Sequence, residues 1–120
     1  KDIDWPVKEG VLSKTTCDGE KEMLRTVIRE GTGVRAQVSG YDIAGKTGTG
    51  QQVDKKTSAY DNSGHYVSSL CGFANADDPD VLVYAGLNDT QQLASQSAAV
   101  VFSTFMKSAV TQLEIPPASQ

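Results

Sequence analysis

Lys46, Thr47, Gly48 and Thr49 put one cation, two hydroxyls and a residue without a side chain into four consecutive positions. An ammonium sets a positive potential, a hydroxyl hydrogen-bonds a carboxylate, and glycine lets a ligand approach the backbone. The combination suits a strand beside a groove that receives an anionic substrate. A bare Lys-Thr-Gly also occurs as a glycine-rich turn with an exposed lysine, so the surroundings decide. Residues 40–47, Gly-Tyr-Asp-Ile-Ala-Gly-Lys-Thr, formally fit the phosphate-binding pattern G-x-x-x-x-G-K-[ST] as well. That pattern needs a strand leading in and a helix beginning at the lysine. Gly48 and Gly50 fall in what would be the first helical turn, so a P-loop nucleotide binder is a remote alternative.

The elements around this stretch form an α+β pattern. Residues 1–17 read as an irregular approach, with Val11 and Leu12 as candidate core anchors. A helix is expected from Asp18, as N-cap, to Glu30. Its Met23, Leu24, Val27 and Ile28 form an apolar, core-facing stripe, and Gly31 lies just past its end. Val34 to Ser39 is a short polar connection. A strand runs from Tyr41 through Ile43 to about Gln51, and residues 52–65 make a polar loop that includes Lys55, Asp61 and Asn62. Nothing in the spacing sets an acid or nucleophile beside His65, which reads as a solvated loop histidine.

Further strands are expected at Tyr66–Ala74 and Val81–Leu87, joined by the turn Asn75–Asp80. Val81-Leu-Val-Tyr84 is apolar enough to be covered on both faces. A helix from Ala94 to Leu113 presents Ala98, Val101, Phe102, Phe105, Met106, Ala109, Val110 and Leu113 on one face, and Ile115-Pro116-Pro117 stops it. The whole is about three antiparallel strands packed with helices.

With 120 residues, 38% hydrophobic and 22% charged, the chain is one domain or part of one. A net charge of −4 argues against a nucleic-acid footprint. Cys17 and Cys71 form no CxxC, and with the single His65 they supply no zinc set, so no metal or cofactor is expected. A disulfide between them is possible in an oxidising compartment, but two buried or half-buried thiols are the preferred reading. No apolar run reaches the length of a membrane span, and the start at Lys1 without methionine points to removed upstream sequence.

Taken together, the motifs resemble class B penicillin-binding proteins, within the active-serine penicillin-recognising group that uses Lys-Thr-Gly. Met23-Leu-Arg-Thr-Val-Ile-Arg-Glu-Gly-Thr-Gly33, Gly40-Tyr-Asp-Ile-Ala-Gly-Lys-Thr-Gly-Thr-Gly-Gln51, Ser68–Ala74, the Asp78-Pro79 turn, Ala99–Phe102 and Ile115-Pro-Pro117 carry the resemblance in order. Gly50 stands where alanine is usual, and Asn75 where proline is common. The Ser-x-x-Lys and Ser-x-Asn motifs of such enzymes do not occur in these residues. Thr104-x-x-Lys107 is the nearest echo, and its helical spacing accounts for it.

The resemblance implies the C-terminal part of a transpeptidase domain with a serine β-lactamase-like fold, inactive alone. The parent would be a membrane-anchored, extracytoplasmic bacterial enzyme that cross-links peptidoglycan through a serine acyl-enzyme. It would take D-Ala-D-Ala stem peptides and bind β-lactams. Lys46 and Thr49 would be catalytic, the latter through an oxyanion-hole N–H, and Lys46, Thr47, Gly48 and Thr49 would bind substrate. The missing strands would pair beside Val81–Leu87, leaving an edge prone to self-association. A serine β-lactamase, a β-lactam sensor or a non-catalytic binding module are the alternatives.

Overall fold

The computed structural model describes residues 5–54, 56–60 and 63–118. Lys1, Lys55, Asp61 and Asn62, named above, lie outside the described residues. In chain order the elements are α1 (Lys14–Arg29), a 3₁₀ turn (Val34–Ala36), β1 (Ile43–Gln51), β2 (Tyr66–Ala74), β3 (Val81–Thr90) and α2 (Ala98–Gln112).

Helix α1 starts one turn earlier than the expected cap at Asp18. The Ser13 side chain accepts the Thr16 N–H at 3.1 Å and so satisfies an orphan donor of the first turn. Asp18 sits inside the helix and pairs with Lys14 one turn back. The helix closes through its glycines: the Gly31 and Gly33 N–H groups both reach Val27 O, at 3.1 and 3.0 Å. A Cβ on Gly31 would stand 2.9 Å from that backbone oxygen, and one on Gly33 would push on the tip of Ile28, Cδ1, at 2.6 Å and crowd Val27 O at 3.1 Å, so a side chain at either position would force the exit to shift. The Gln37 amide caps two more carbonyls, Ile28 O and Arg29 O.

The expected stripe on α1 is only partly core. Ile28 is buried, Leu24 and Val27 are half-buried, and Met23 is exposed, while Arg25 is buried. The helix turns this face inward because Asp42, at the entrance to β1, and Asp77, on the β2–β3 turn, both receive the Arg25 guanidinium at 2.7 Å. Val11 and Leu12 are exposed and anchor nothing among the described residues.

The strands form an antiparallel meander, β1-β2-β3. Ile43 stands opposite Ala74 and Ala74 opposite Val81, while Lys46 faces Cys71 and Cys71 faces Tyr84. This register sends Leu70, Ala74, Val83 and Ala85 to one side, where Phe102, Met106 and Val110 of α2 cover them. The Phe102 ring lies where a Cβ on Gly72 would be, 2.9 Å away, so the helix reaches the sheet through a residue without a side chain.

The other side is open, which corrects the expectation for Val81–Tyr84. Leu82 and Tyr84 are 64% and 65% exposed, and strict alternation in this run turns only Val83, buried, and Val81, half-buried, toward the core. Helix α2 begins at Ala98 and not Ala94, because residues 93–97 fold as turns with Ser97 Oγ donating to Leu93 O. Its buried face is narrower than expected: Val101, Phe105 and Leu113 are exposed. Both cysteines are free, Cys17 half-buried and Cys71 exposed on the open side. The tail returns to clasp two turns: Tyr41 OH donates to Ile115 O, Asn75 Nδ2 to Pro116 O, and Ala118 N–H to Gly40 O, each at 3.0 Å.

Candidate functional site

Strand β1 is an edge strand, paired with β2 on one side and with no strand on the other among the described residues. Its first half is buried at Ile43, Ala44 and Gly45, and it emerges into solvent at Lys46. Gly45 has to lack a side chain, since a Cβ there would stand 2.7 Å from Cys71 O. Lys46 therefore follows a tightly packed segment that fixes where its backbone leaves the core.

Lys46 is exposed, and its ammonium donates to Thr47 O at 2.9 Å. Among the described residues no carboxylate pairs with it. The lysine lies within a strand, with strand residues on both sides, so the helix N-terminus that a P-loop requires is absent here. Lys46 and Gly48 share the open face of the sheet with Ser69 and Cys71. A Cβ on Gly48 would meet Ser69 Oγ at 2.7 Å, a rotatable hydroxyl and not backbone.

Thr47 and Thr49 project to the opposite side, and each hydroxyl is held by a different loop. Thr47 Oγ1 lies 2.7 Å from Thr32 Oγ1, in the Gly31-Thr32-Gly33 exit of α1. Thr49 Oγ1 accepts the N–H of Ala94, in the β3–α2 connection, at 3.2 Å. Neither partner was expected from the sequence. The available signal for Thr32 was its position between two glycines that fasten the helix end; for Ala94 there was none, because the donor is backbone.

His65 is better held than a solvated loop histidine. Its Nδ1 lies 2.7 Å from Asp89 Oδ1 and its Nε2 lies 3.2 Å from the Gln91 amide. Strand pairing, not sequence spacing, puts this acid beside it. A cleft of about 590 Å³ lies away from Lys46, among Glu22, Arg25, Arg29, Asp42 and Asp77. There the Arg25 guanidinium, hydrogen-bonded to Asp77, holds that carboxyl below its ordinary value, while the Arg25 pKa itself is raised.

An antiparallel meander packed on a helix, with Lys-Thr-Gly-Thr on its edge strand, is the arrangement expected of the penicillin-recognising class. Residues 4–107 match the family model of the penicillin binding protein transpeptidase domain, and the chain belongs to that family. It is 37% identical over 113 residues to stage V sporulation protein D of Bacillus subtilis, covering 92% of this chain and 17% of that protein. It is 30% identical over 125 residues to peptidoglycan D,D-transpeptidase FtsI of Buchnera aphidicola, covering 95% of this chain and 21% of the relative.

Among solved structures, a putative peptidoglycan glycosyltransferase from Atopobium parvulum superposes with a TM-score of 0.84 at 54% identity, over 98% of this chain and 28% of that one. Penicillin binding protein 3 from Mycobacterium tuberculosis, complexed with ampicillin, superposes with a TM-score of 0.82 at 27% identity, over 100% of this chain and 29% of its own. The chain thus spans only a fraction of the length of its relatives. These relatives agree with the class B reading and with the transpeptidase fold. No helix among the described residues is long and apolar enough to cross a membrane.

Proposed function

We propose that these residues are the C-terminal part of a serine D,D-transpeptidase domain, whose Ser-x-x-Lys and Ser-x-Asn motifs are supplied by sequence outside them. The parent enzyme takes the D-Ala-D-Ala end of a peptidoglycan stem peptide. A serine hydroxyl attacks the penultimate D-Ala carbonyl, the terminal D-Ala leaves as its amine, and an acyl-enzyme results. An amine of a neighbouring stem then attacks that ester, forms the cross-link and releases the serine. β-Lactams acylate the same serine, in keeping with the ampicillin complex of a relative.

The observation that carries this reading is the Lys46 cation on an open strand edge, with no carboxylate partner among the described residues, and the Thr47 and Thr49 hydroxyls on the other side of the same strand. Lys46 supplies positive potential to the substrate carboxylate and the relay serine, and Thr47 and Thr49 hydrogen-bond the carboxylate. The Thr49 N–H is one donor to the oxyanion, with the nucleophile's own N–H as the other. Gly48 keeps the strand open to the peptide lying along it. The parent acts on the extracytoplasmic face of the membrane, held by an anchor outside these residues.

The test is intact mass after incubation with a penicillin. The full-length protein that carries this segment should gain one adduct, on a serine followed three residues later by lysine. The 120-residue chain should gain none. An adduct on any serine of the short chain would overturn the assignment.

A further inference from the structure

The two threonine hydroxyls are not equivalent to free hydroxyls on a surface, and the difference has chemical content. A hydroxyl carries one proton to donate and two lone pairs to accept. The Ala94 backbone N–H can only donate, so Thr49 Oγ1 is fixed as its acceptor at 3.2 Å. Ala94 is 1% exposed, so that donor has no access to water as an alternative partner. The single proton of Thr49 is therefore left for an outside acceptor.

Thr47 meets a hydroxyl instead, and the 2.7 Å contact with Thr32 admits either direction. If Thr47 donated to Thr32, it could only accept from a ligand, which suits an amide N–H or an ammonium. If Thr32 donates, Thr47 resembles Thr49 and both present protons to an acceptor. The carboxylate-binding role proposed for Thr47 requires the second direction. Thr49, two residues on and on the same side of β1, already has its proton left for an acceptor. A carboxylate has only lone pairs to offer, so both threonines must bring their protons to it.

We propose that Thr32 is a positioning residue: its hydroxyl donates to Thr47 Oγ1 and so commits the Thr47 proton, together with that of Thr49, to a substrate carboxylate. Thr32 itself need not touch the substrate. Its placement follows from the glycine-fastened end of α1, where Gly31 and Gly33 bind Val27 O on either side of it. The inference rests on the carboxylate-binding role assigned to Thr47 in the proposed function.

The experiment measures the second-order acylation rate of the full-length protein by benzylpenicillin and by its methyl ester, which lacks the carboxylate charge. Thr32→Val should slow acylation by the free acid about fivefold to tenfold, the scale of one hydrogen bond, and slow the ester by less than about twofold. Thr32→Ser keeps the hydroxyl and should restore the acid rate. Thr32→Ala is a second hydroxyl-free variant at this exposed site, with the same expected split, should valine disturb folding. Equal slowing of acid and ester, or no slowing of either, overturns the inference. Lys46→Ala separates the two levels: if it slows the acid while Thr32→Val does not, only the role of Thr32 fails. If neither variant slows the acid, the carboxylate site itself is misassigned.

Discussion

The two ends of α1 and β1 use charge in opposite ways. At the entrance to β1, Arg25 is buried and its guanidinium is surrounded by carboxylates: Asp42 and Asp77 at 2.7 Å and Glu22 at 3.4 Å. Arg29 joins the same cluster through Glu22 and Asp42. A few residues further along, Lys46 has, among the described residues, only a backbone carbonyl for its ammonium. The first cation is neutralised within the fold and fastens a helix to a strand and a turn. The second is left with its potential unspent. Charge that a fold needs is paired, and charge that a ligand needs is held in place by neighbours that do not cancel it.

Substitutions at the two cations should therefore separate cleanly. In the full-length protein, Lys46→Ala should lower the acylation rate by a penicillin about 10²–10³-fold, the scale for losing one electrostatic stabiliser, with thermal unfolding unchanged. Stopped-flow acylation beside a melting curve checks this, and a variant that melts early would show Lys46 to be structural.

The reverse pattern is expected at Arg25. Arg25→Ala leaves Asp42 without its main partner, and should cost about 2 kcal/mol of stability while the folded protein acylates normally. The check is the temperature at which penicillin labelling is lost, read together with the rate below that temperature. A slowed rate at low temperature would erase the contrast between the two ends.

Acid sharpens the contrast further, with a smaller effect. Asp77 is held below its ordinary value of 3.8, first by the hydrogen bond from Arg25 and then by its charge. A carboxylate lowered in the folded state contributes stability above its unfolded value, and loses it as pH falls through the lower folded value. Wild type should accordingly lose more stability than Arg25→Ala on passing from neutral pH to below the ordinary carboxylate range. Asp77 is highly exposed, so the difference should be slight. Urea midpoints across that range measure it, and parallel pH profiles for the two proteins would remove the pair from the account.

The sequence carried the strands well and the burial less well. The bounds of β2 are those its alternation predicts, and β1 begins two residues after the expected Tyr41, because Tyr41 turns aside to donate its hydroxyl to Ile115 O. The start of α1 was hidden by Thr15-Thr16, a β-branched pair that reads as irregular until Ser13 is seen capping it. Burial of Arg25 could not be read from the helix alone, since the two partners it meets at 2.7 Å lie 17 and 52 residues away in sequence. Nor could the open face at Leu82 and Tyr84, because an apolar residue states what it prefers to touch and not whether that neighbour is among these residues. For the site, Lys46 through Thr49 stood out by composition, whereas Thr32 and Ala94 act through a loop contact and a backbone N–H that leave no motif.

The tail clasp has a consequence in time. Neighbouring strands of the meander are successive in sequence, so each hairpin closes a short stretch of chain. Tyr41 and Ile115, by contrast, join across 74 positions, and Asn75 and Pro116 across 41. Long closures are reached late and lost early, because their contacts reward ordering only after the intervening chain is in place. The hypothesis is that the hairpins holding Lys46 assemble before the tail is fastened, and that the molecule breathes from the tail. Native-state amide exchange should then find the N–H of Ala118, bonded to Gly40 O, opening at far lower cost than the β1–β2 ladder. Equal protection at both would mean that tail and sheet open as a single unit.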